Sequence, residues 1–380
     1  MPPGTSLVVL QVLPALDSGG VERGTVEVAA AISGAGGTAL VASAGGRMVP
    51  QVEHAGGRHV VLPLRRRTPA AIWRNAGRLA GLIRAEGVRI VHARSRAPAW
   101  SAFWATRRTG ARFVTTYHGV YNEDWPGKRR YNAIMARGER VIAISRYVAA
   151  VLQRRHGVDP ARVRVIPRGV DPALFDPERV PGPRVAGLAD AWRLPGGAPV
   201  VMLPARLTRW KGQAVMIEAL ARMERRDACC VLVGGGGGRF EQELRAQARA
   251  AGVADRLRFA GHCDDMPAAL MLADAVVSAS TDPEGFGRAV IEAQAMARPV
   301  IATDHGGAAE TVEHGVTGWR VPPGDPAALA AALDHALSLP PEQRHALGAR
   351  ARASVCAHYT VAAMQAATLD VYREVLAAER

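Results

Sequence analysis

The stretch Ala273-Asp274-Ala275-Val276-Val277-Ser278-Ala279-Ser280-Thr281-Asp282-Pro283-Glu284-Gly285-Phe286-Gly287-Arg288-Ala289-Val290-Ile291-Glu292-Ala293-Gln294-Ala295-Met296 changes character twice. Its first third is apolar and β-prone, and its last third has helical composition with no proline. Between them lies a Gly-rich turn that carries Glu284. That order predicts a strand, a loop at its carboxyl end and a helix that includes Glu292. Ligands of open α/β sheets bind at this edge, and a helix N-terminus preceded by glycines offers free N–H groups to an anion. The segment therefore predicts backbone donors for phosphate beside two carboxylates for sugar hydroxyls.

The same rhythm runs along the whole chain. Strand candidates are 6–13, 38–43, 59–62, 89–92, 112–116, 140–144 and 163–166. A second series follows at 199–204, 228–233, 256–260, 274–279 and 299–302, and helical stretches separate the strands. Alternating strands and helices imply parallel sheets. Pro181-Gly182-Pro183 and Pro195-Gly196-Gly197 break the series in two. At 380 residues the chain is long for one core. The expectation is two doubly wound α/β domains facing a cleft: 1–180, a linker at 181–198, and 199–359. The tail from 341 to 380 reads as helical, with a break near His358-Tyr359-Thr360.

Charge is divided unevenly. Residues 1–180 carry 27 Lys+Arg against 12 Asp+Glu, a net of +15, whereas the remainder carries 21 against 22, a net of −1. The first domain is thus expected to meet an anionic partner. Arg65-Arg66-Arg67 precedes Trp73, Arg94 and Arg96 precede Trp100 and Trp104, and Lys128-Arg129-Arg130 follows Trp125. Basic clusters beside aromatics suit an anionic lipid surface or a phosphorylated glycolipid. No nucleic-acid-binding motif accompanies the charge, so a nucleic-acid partner is not expected. Cys229, Cys230, Cys263 and Cys356 are scattered, which suits a reducing compartment. Leu7 to Leu13 reads as a buried first strand. No apolar run approaches the roughly 18 residues of a spanning helix.

Several loops carry candidate chemistry. Gly19-Gly20 opens a helix after the first strand, without the dinucleotide-binding spacing. His118-Gly119 follows the strand 112–116. Arg206 and Lys211 leave the first strand of the second domain, and Lys211 is one of only two lysines in the chain, with Lys128. An Arg–Lys pair suits a diphosphate. Gly261-His262 ends the strand 256–260, and Gly234 to Gly238 and Gly306-Gly307 end two others. Asp264-Asp265 has a helix-capping context, so no metal site is expected.

Taken in order, Gly19-Gly20-x-Glu22-Arg23, His118-Gly119, Ser145-Arg146-Tyr147, Ile166-Pro167-x-Gly169-Val170-Asp171, Arg206…Lys211-Gly212, Glu284-x7-Glu292 and Gly315-x-Thr317-Gly318 resemble the retaining glycosyltransferases of family 4. The resemblance spans nearly the full chain and implies a GT-B fold. It also implies a last helix, about 360–380, that crosses back onto the first domain. It assigns Arg206 and Lys211 to the donor diphosphate, Glu292 to the ribose and Glu284 to the donor sugar. Phe286 and Gly287 would assist through backbone N–H groups, Gly19 and Gly20 would approach the phosphates, and Gly261 and His262 would frame the base. His118 would lie near the transferred sugar. Arg288 stands where many relatives carry an apolar residue. The implied reaction is metal-independent hexosyl transfer from a UDP-sugar or GDP-mannose, with no cofactor. Residues 92–101 resemble enzymes of lipopolysaccharide-core assembly, which implies an anionic glycolipid or saccharide acceptor and a cytoplasmic protein peripheral on the inner face of the bacterial cytoplasmic membrane. Alternatives are a same-fold sugar-nucleotide epimerase and a non-catalytic sugar-nucleotide binder.

Overall fold

A computed structural model describes residues 7–17 and 19–378 of the chain. Residue 6 of the first expected strand, Ser18 of the first turn and residues 379–380 of the expected last helix lie outside them. The chain divides into two compact units, Met1–Arg168 with Val361–Arg380, and Gly169–Thr360.

The first unit is built on β1 (Val8–Val12), β2 (Thr38–Ser43), β3 (Arg58–Val61), β4 (Ile90–Ala93), β5 (Arg112–Tyr117), β6 (Arg140–Ala143) and β7 (Val163–Val165). Their spatial order is β3-β2-β1-β4-β5-β6-β7, with every pairing parallel. β4 is buried throughout and β2 and β5 nearly so, as parallel sheets covered on both faces require. The helix Val361–Ala377 completes this core. Met364, Val371, Tyr372 and Val375 pack with Val9, Leu13, Val28 and Ile32, and Arg140 and Arg164 both pair with Glu374.

The second unit repeats the scheme with β8 (Val200–Pro204), β9 (Cys229–Val233), β10 (Leu257–Gly261), β11 (Ala275–Ser278), β12 (Val300–Thr303) and β13 (Trp319–Val321). Their order is β10-β9-β8-β11-β12-β13, again all parallel. Both sheets are Rossmann-like. In each, the order reverses once, between β1 and β4 in the first and between β8 and β11 in the second. At such a reversal the loops leaving two adjacent strands diverge to opposite faces and leave room for a ligand.

Two expectations need correction. Residues 181–198, expected as a linker, include a helix, Gly182–Ala191, with a proline in its first turn, where a missing N–H costs nothing. The second unit begins at Gly169 rather than at residue 199. Strand β13 and the short helices Val49–His54 and Lys128–Asn132 lie in stretches too brief for a periodic signal. The tail does break where expected, into Pro341–His358 and Val361–Ala377.

His92 lies at the centre of the first sheet. One ring nitrogen meets Tyr372 Oη at 2.7 Å and the other meets Thr116 Oγ1 at 2.7 Å. Burial first, then the Arg94 and Arg168 charges, push its pKa well below the ordinary histidine value. Burial likewise lowers His59 and His156. The unfolded chain takes up protons below about pH 6.5 that these folded rings refuse, so stability is full above that pH and falls as pH drops. Thermal unfolding should therefore occur at a lower temperature at pH 5 than at pH 7.5. An unchanged midpoint contradicts the burial of neutral histidine.

Candidate functional site

The reversal of strand order between β8 and β11 sets two loops side by side. The loop after β8 carries Arg206 and ends in a single turn, Arg209–Lys211, followed by Gly212 and the helix Gln213–Arg222. The loop after β11 carries Ser280 to Gly287 and leads into the helix Arg288–Ala295. The Thr281 N–H donates to the Trp210 carbonyl at 2.8 Å and fastens one loop to the other. Gly212 makes this approach possible. It has a φ of +75°, and a Cβ there would lie 1.8 Å from the Ala279 carbonyl oxygen. No other residue fits both conditions.

Lys211 and Glu284 meet across this seam, with Nζ 2.8 Å from Oε2. Both side chains are largely buried, at 18% and 13% exposure. The Lys211 ammonium also lies 4.3 Å from the centre of the Trp210 ring, within cation–π range. The second carboxylate oxygen accepts hydrogen bonds from the hydroxyls of Ser280 and, at 3.4 Å, Ser278. The loop after β12 supports this arrangement. The Gly307 N–H donates to the Glu284 carbonyl at 2.8 Å, Thr303 Oγ1 donates to the Ser280 carbonyl at 3.0 Å, and His305 Nε2 lies 2.8 Å from that same carbonyl. Among the described residues, Glu284 thus has a fixed orientation with part of its accepting capacity open, and Lys211 uses one of its three N–H donors on a carboxylate.

The other expected residues fall around this pair without joining it. Arg206 is exposed, while its own carbonyl accepts from the buried Gln213 amide at 2.9 Å. Gly287 caps the helix that carries Arg288 and the nearly buried Glu292. The Phe286 side chain is buried edge-on against Tyr359 at 5.7 Å, so only its backbone is left for a ligand. Gly261 and His262 are exposed at the end of β10, with His262 Nε2 2.9 Å from Asp264. Asp265 caps the helix Met266–Met271 and also binds Arg184. Among the described residues no group of three or more His, Cys, Asp or Glu side chains is arranged to hold a metal ion.

In the first unit, Gly19 caps the helix Gly20–Gly34, and His118 follows β5 directly. Arg168 Nη2 donates to His118 Nδ1 at 2.6 Å. A guanidinium has no acceptor, so Nδ1 carries the lone pair and the ring proton sits on Nε2. Arg94 and Arg168 are both buried and pack against Gly24, where a Cβ would meet Arg94 Nη2 at 2.8 Å and Arg168 Nη1 at 3.2 Å. Arg94 donates to the buried Gln11 at 3.1 Å. Its expected place in a surface cluster is therefore corrected. Of the aromatics, Trp73, Trp104 and Trp125 are exposed, with the Arg108 guanidinium 4.0 Å from the Trp73 ring centre. Trp100 is tied instead to the Tyr131 carbonyl at 3.2 Å.

Comparison with known proteins gives this geometry a family. The family model described as glycosyl transferases group 1 matches residues 188–354, and that of glycosyltransferase family 4 matches residues 18–174. A D-inositol 3-phosphate glycosyltransferase of Salinispora tropica is 32% identical over 333 residues, covering 79% of this chain and 68% of that protein. The chain belongs to glycosyltransferase family 4. A family 4 fold of the GT-B class agrees with the crystal structure of a glycosyltransferase from Rickettsia africae, which superposes with a TM-score of 0.90 at 36% identity over 98% of this chain and 100% of that one. A GDP-mannose-dependent alpha-(1-6)-phosphatidylinositol monomannoside mannosyltransferase of Mycobacterium tuberculosis is 40% identical over 169 residues, or 42% of this chain. That match spans 43% of the mycobacterial protein, less than half its length.

Sequence reading missed the residues that hold the family's motif residues in place. Ser280, four positions before Glu284, and Trp210, beside Lys211, could have been flagged by adjacency. Arg168 sits inside the Ile166–Asp171 motif at the position left unspecified. Replacing Gly212 by alanine forces a Cβ into the Ala279 carbonyl at a positive φ. The expected cost is more than about 1 kcal/mol, read as a lower midpoint in thermal unfolding. Unchanged stability would show that the two loops are not in backbone contact.

Proposed function

We propose that the chain transfers a hexosyl unit from a nucleoside diphosphate sugar to a phosphate-bearing polyol or glycolipid, with retention at the anomeric carbon. The Lys211–Glu284 pair at the strand-order reversal, beside the amino end of the helix Arg288–Ala295, carries this reading. Arg206, the remaining Lys211 donors and the N–H groups after Gly287 bind the diphosphate and stabilise the charge that develops as the C1–O bond breaks. Glu284 accepts from hydroxyls of the donor sugar, and Glu292 from the ribose. With its lone pair engaged by Arg168, His118 is not the base. The acceptor oxygen bonds to C1 on the face the diphosphate leaves, and its proton passes to the departing phosphate oxygen. No metal ion is required, because Arg206 and Lys211 supply the positive charge.

GDP-mannose is the favoured donor and an inositol phosphate or its lipid the favoured acceptor, since the mycobacterial and Salinispora relatives are named for these. A lipopolysaccharide-type acceptor would share the anionic character. The exposed Trp73 and Trp104 with Arg108 suit recruitment to an anionic membrane surface; no described helix is long and apolar enough to cross a membrane.

Thermal shift against GDP-mannose and UDP-glucose tests the donor. Ligand at a hundredfold its Kd adds about 2.7 kcal/mol of stability. Neither sugar nucleotide raising the midpoint contradicts the donor site. Transfer should survive EDTA, Glu284→Gln should lower kcat/KM by roughly a hundredfold, a loss of about 2.7 kcal/mol, and product NMR should show the donor's anomeric configuration. An inverted product would overturn the retaining mechanism.

A further inference from the structure

The first unit has a hollow of about 760 Å³ where the helix Lys128–Asn132 meets the carboxyl end of the helix Arg146–His156. Arg129, Arg130, Arg155 and His156 line it, with Gly127 at its edge. Some arginines of the unit are held on carboxylates, such as Arg112 on Glu139 and Arg58 on Glu86, and others on backbone carbonyls, such as Arg47, Arg84 and Arg162. In the hollow, Arg129 and Arg155 are ordered in the second way. Arg129 Nε donates to the Arg155 carbonyl at 2.9 Å, and Arg155 Nη1 donates to the Tyr121 carbonyl at 2.8 Å. A carbonyl fixes a guanidinium without cancelling its charge, whereas a carboxylate does both.

Glu123 pairs with Arg155 at 3.9 Å and Asp124 pairs with Lys128, while Arg129 and Arg130 make no ion pair among the described residues. Burial lowers the His156 pKa; the Glu123 charge opposes this, and Arg129 and Arg155 add to it. The His156 ring lies 3.1 Å from the Tyr117 hydroxyl. Trp125, half exposed, stands against Gly127, where a Cβ would be 3.2 Å from the indole. The hollow therefore combines oriented cations with an aromatic face at its edge.

We propose that this hollow binds the phosphate of a phosphorylated polyol, free or as a lipid headgroup, through Arg129, Arg130 and Arg155, with Trp125 beside the ring that bears it. Guanidinium groups match phosphate oxygens in fork geometry, and those already ordered lose less entropy on binding. The site uses none of the residues assigned to the donor, so it stands or falls independently of that reading.

The test uses the full chain with three probes: inorganic phosphate, inositol 1-phosphate, and vesicles containing either phosphatidylinositol or phosphatidylserine at equal charge. Arg130→Glu is the test variant and Arg249→Glu, an exposed change of equal charge in the second unit, the control. Calorimetry should show inositol phosphate binding weakened roughly tenfold or more by Arg130→Glu, with Arg249→Glu within about twofold. If the lipid is the source, vesicle co-sedimentation should show a preference for phosphatidylinositol that Arg130→Glu abolishes. Absence of binding to all three probes, or equal losses in the two variants, overturns the site. Retained folding of Arg130→Glu is checked by its thermal midpoint, and Arg130→Gln serves in its place if that midpoint falls.

Discussion

The second unit depends on one close contact, the approach of the loop after β8 to the loop after β11. Strand order reverses between these neighbours, so their connections depart to opposite faces while their first residues remain adjacent. Gly212 against the Ala279 carbonyl and the Thr281–Trp210 hydrogen bond close that gap. An ammonium and a carboxylate from distant parts of the sequence are then held 2.8 Å apart. The pairing couples what would otherwise be two jobs, since Glu284 orients Lys211 while Lys211 offsets the charge of Glu284. A partly buried carboxylate without that cation would carry an unfavourable desolvation cost.

The first unit uses its many arginines in three ways. Arg140 and Arg164 share Glu374, which offsets part of their charge and pins the last helix to the sheet. Arg94 and Arg168 are buried against Gly24, and Arg168 fixes the tautomer of His118. Arg129 rests on the Arg155 carbonyl, and Arg155 is shared between the Tyr121 carbonyl and Glu123. The formal excess of the first 180 residues is therefore not a uniform positive coat.

Much of this was legible from sequence because the signal was local. The Ala273–Met296 stretch announces strand, loop and helix through composition, and β11 with the helix Arg288–Ala295 lies where that pattern puts them. The eight-residue spacing placed Glu284 on the loop and Glu292 in the helix. The partners of those residues were not legible, because contacts such as Lys211–Glu284 and Arg168–His118 are set by sheet order, which no window of sequence reports. Prolines at 181, 183 and 195 suggested a linker, yet a proline within the first turn of a helix is favourable, and Gly182–Ala191 is helical. Arg94 looked like surface charge only because its burial comes from a glycine seventy residues away.

The most direct test of the account is a double-mutant cycle on Lys211 and Glu284, each changed to alanine alone and together, read as kcat/KM for the sugar nucleotide. If the two side chains act as one unit, the double variant loses much less than the sum of the single losses, with a coupling of about 1–3 kcal/mol. Strictly additive losses would mean that each acts on the substrate alone, and would contradict the pairing at the heart of the site.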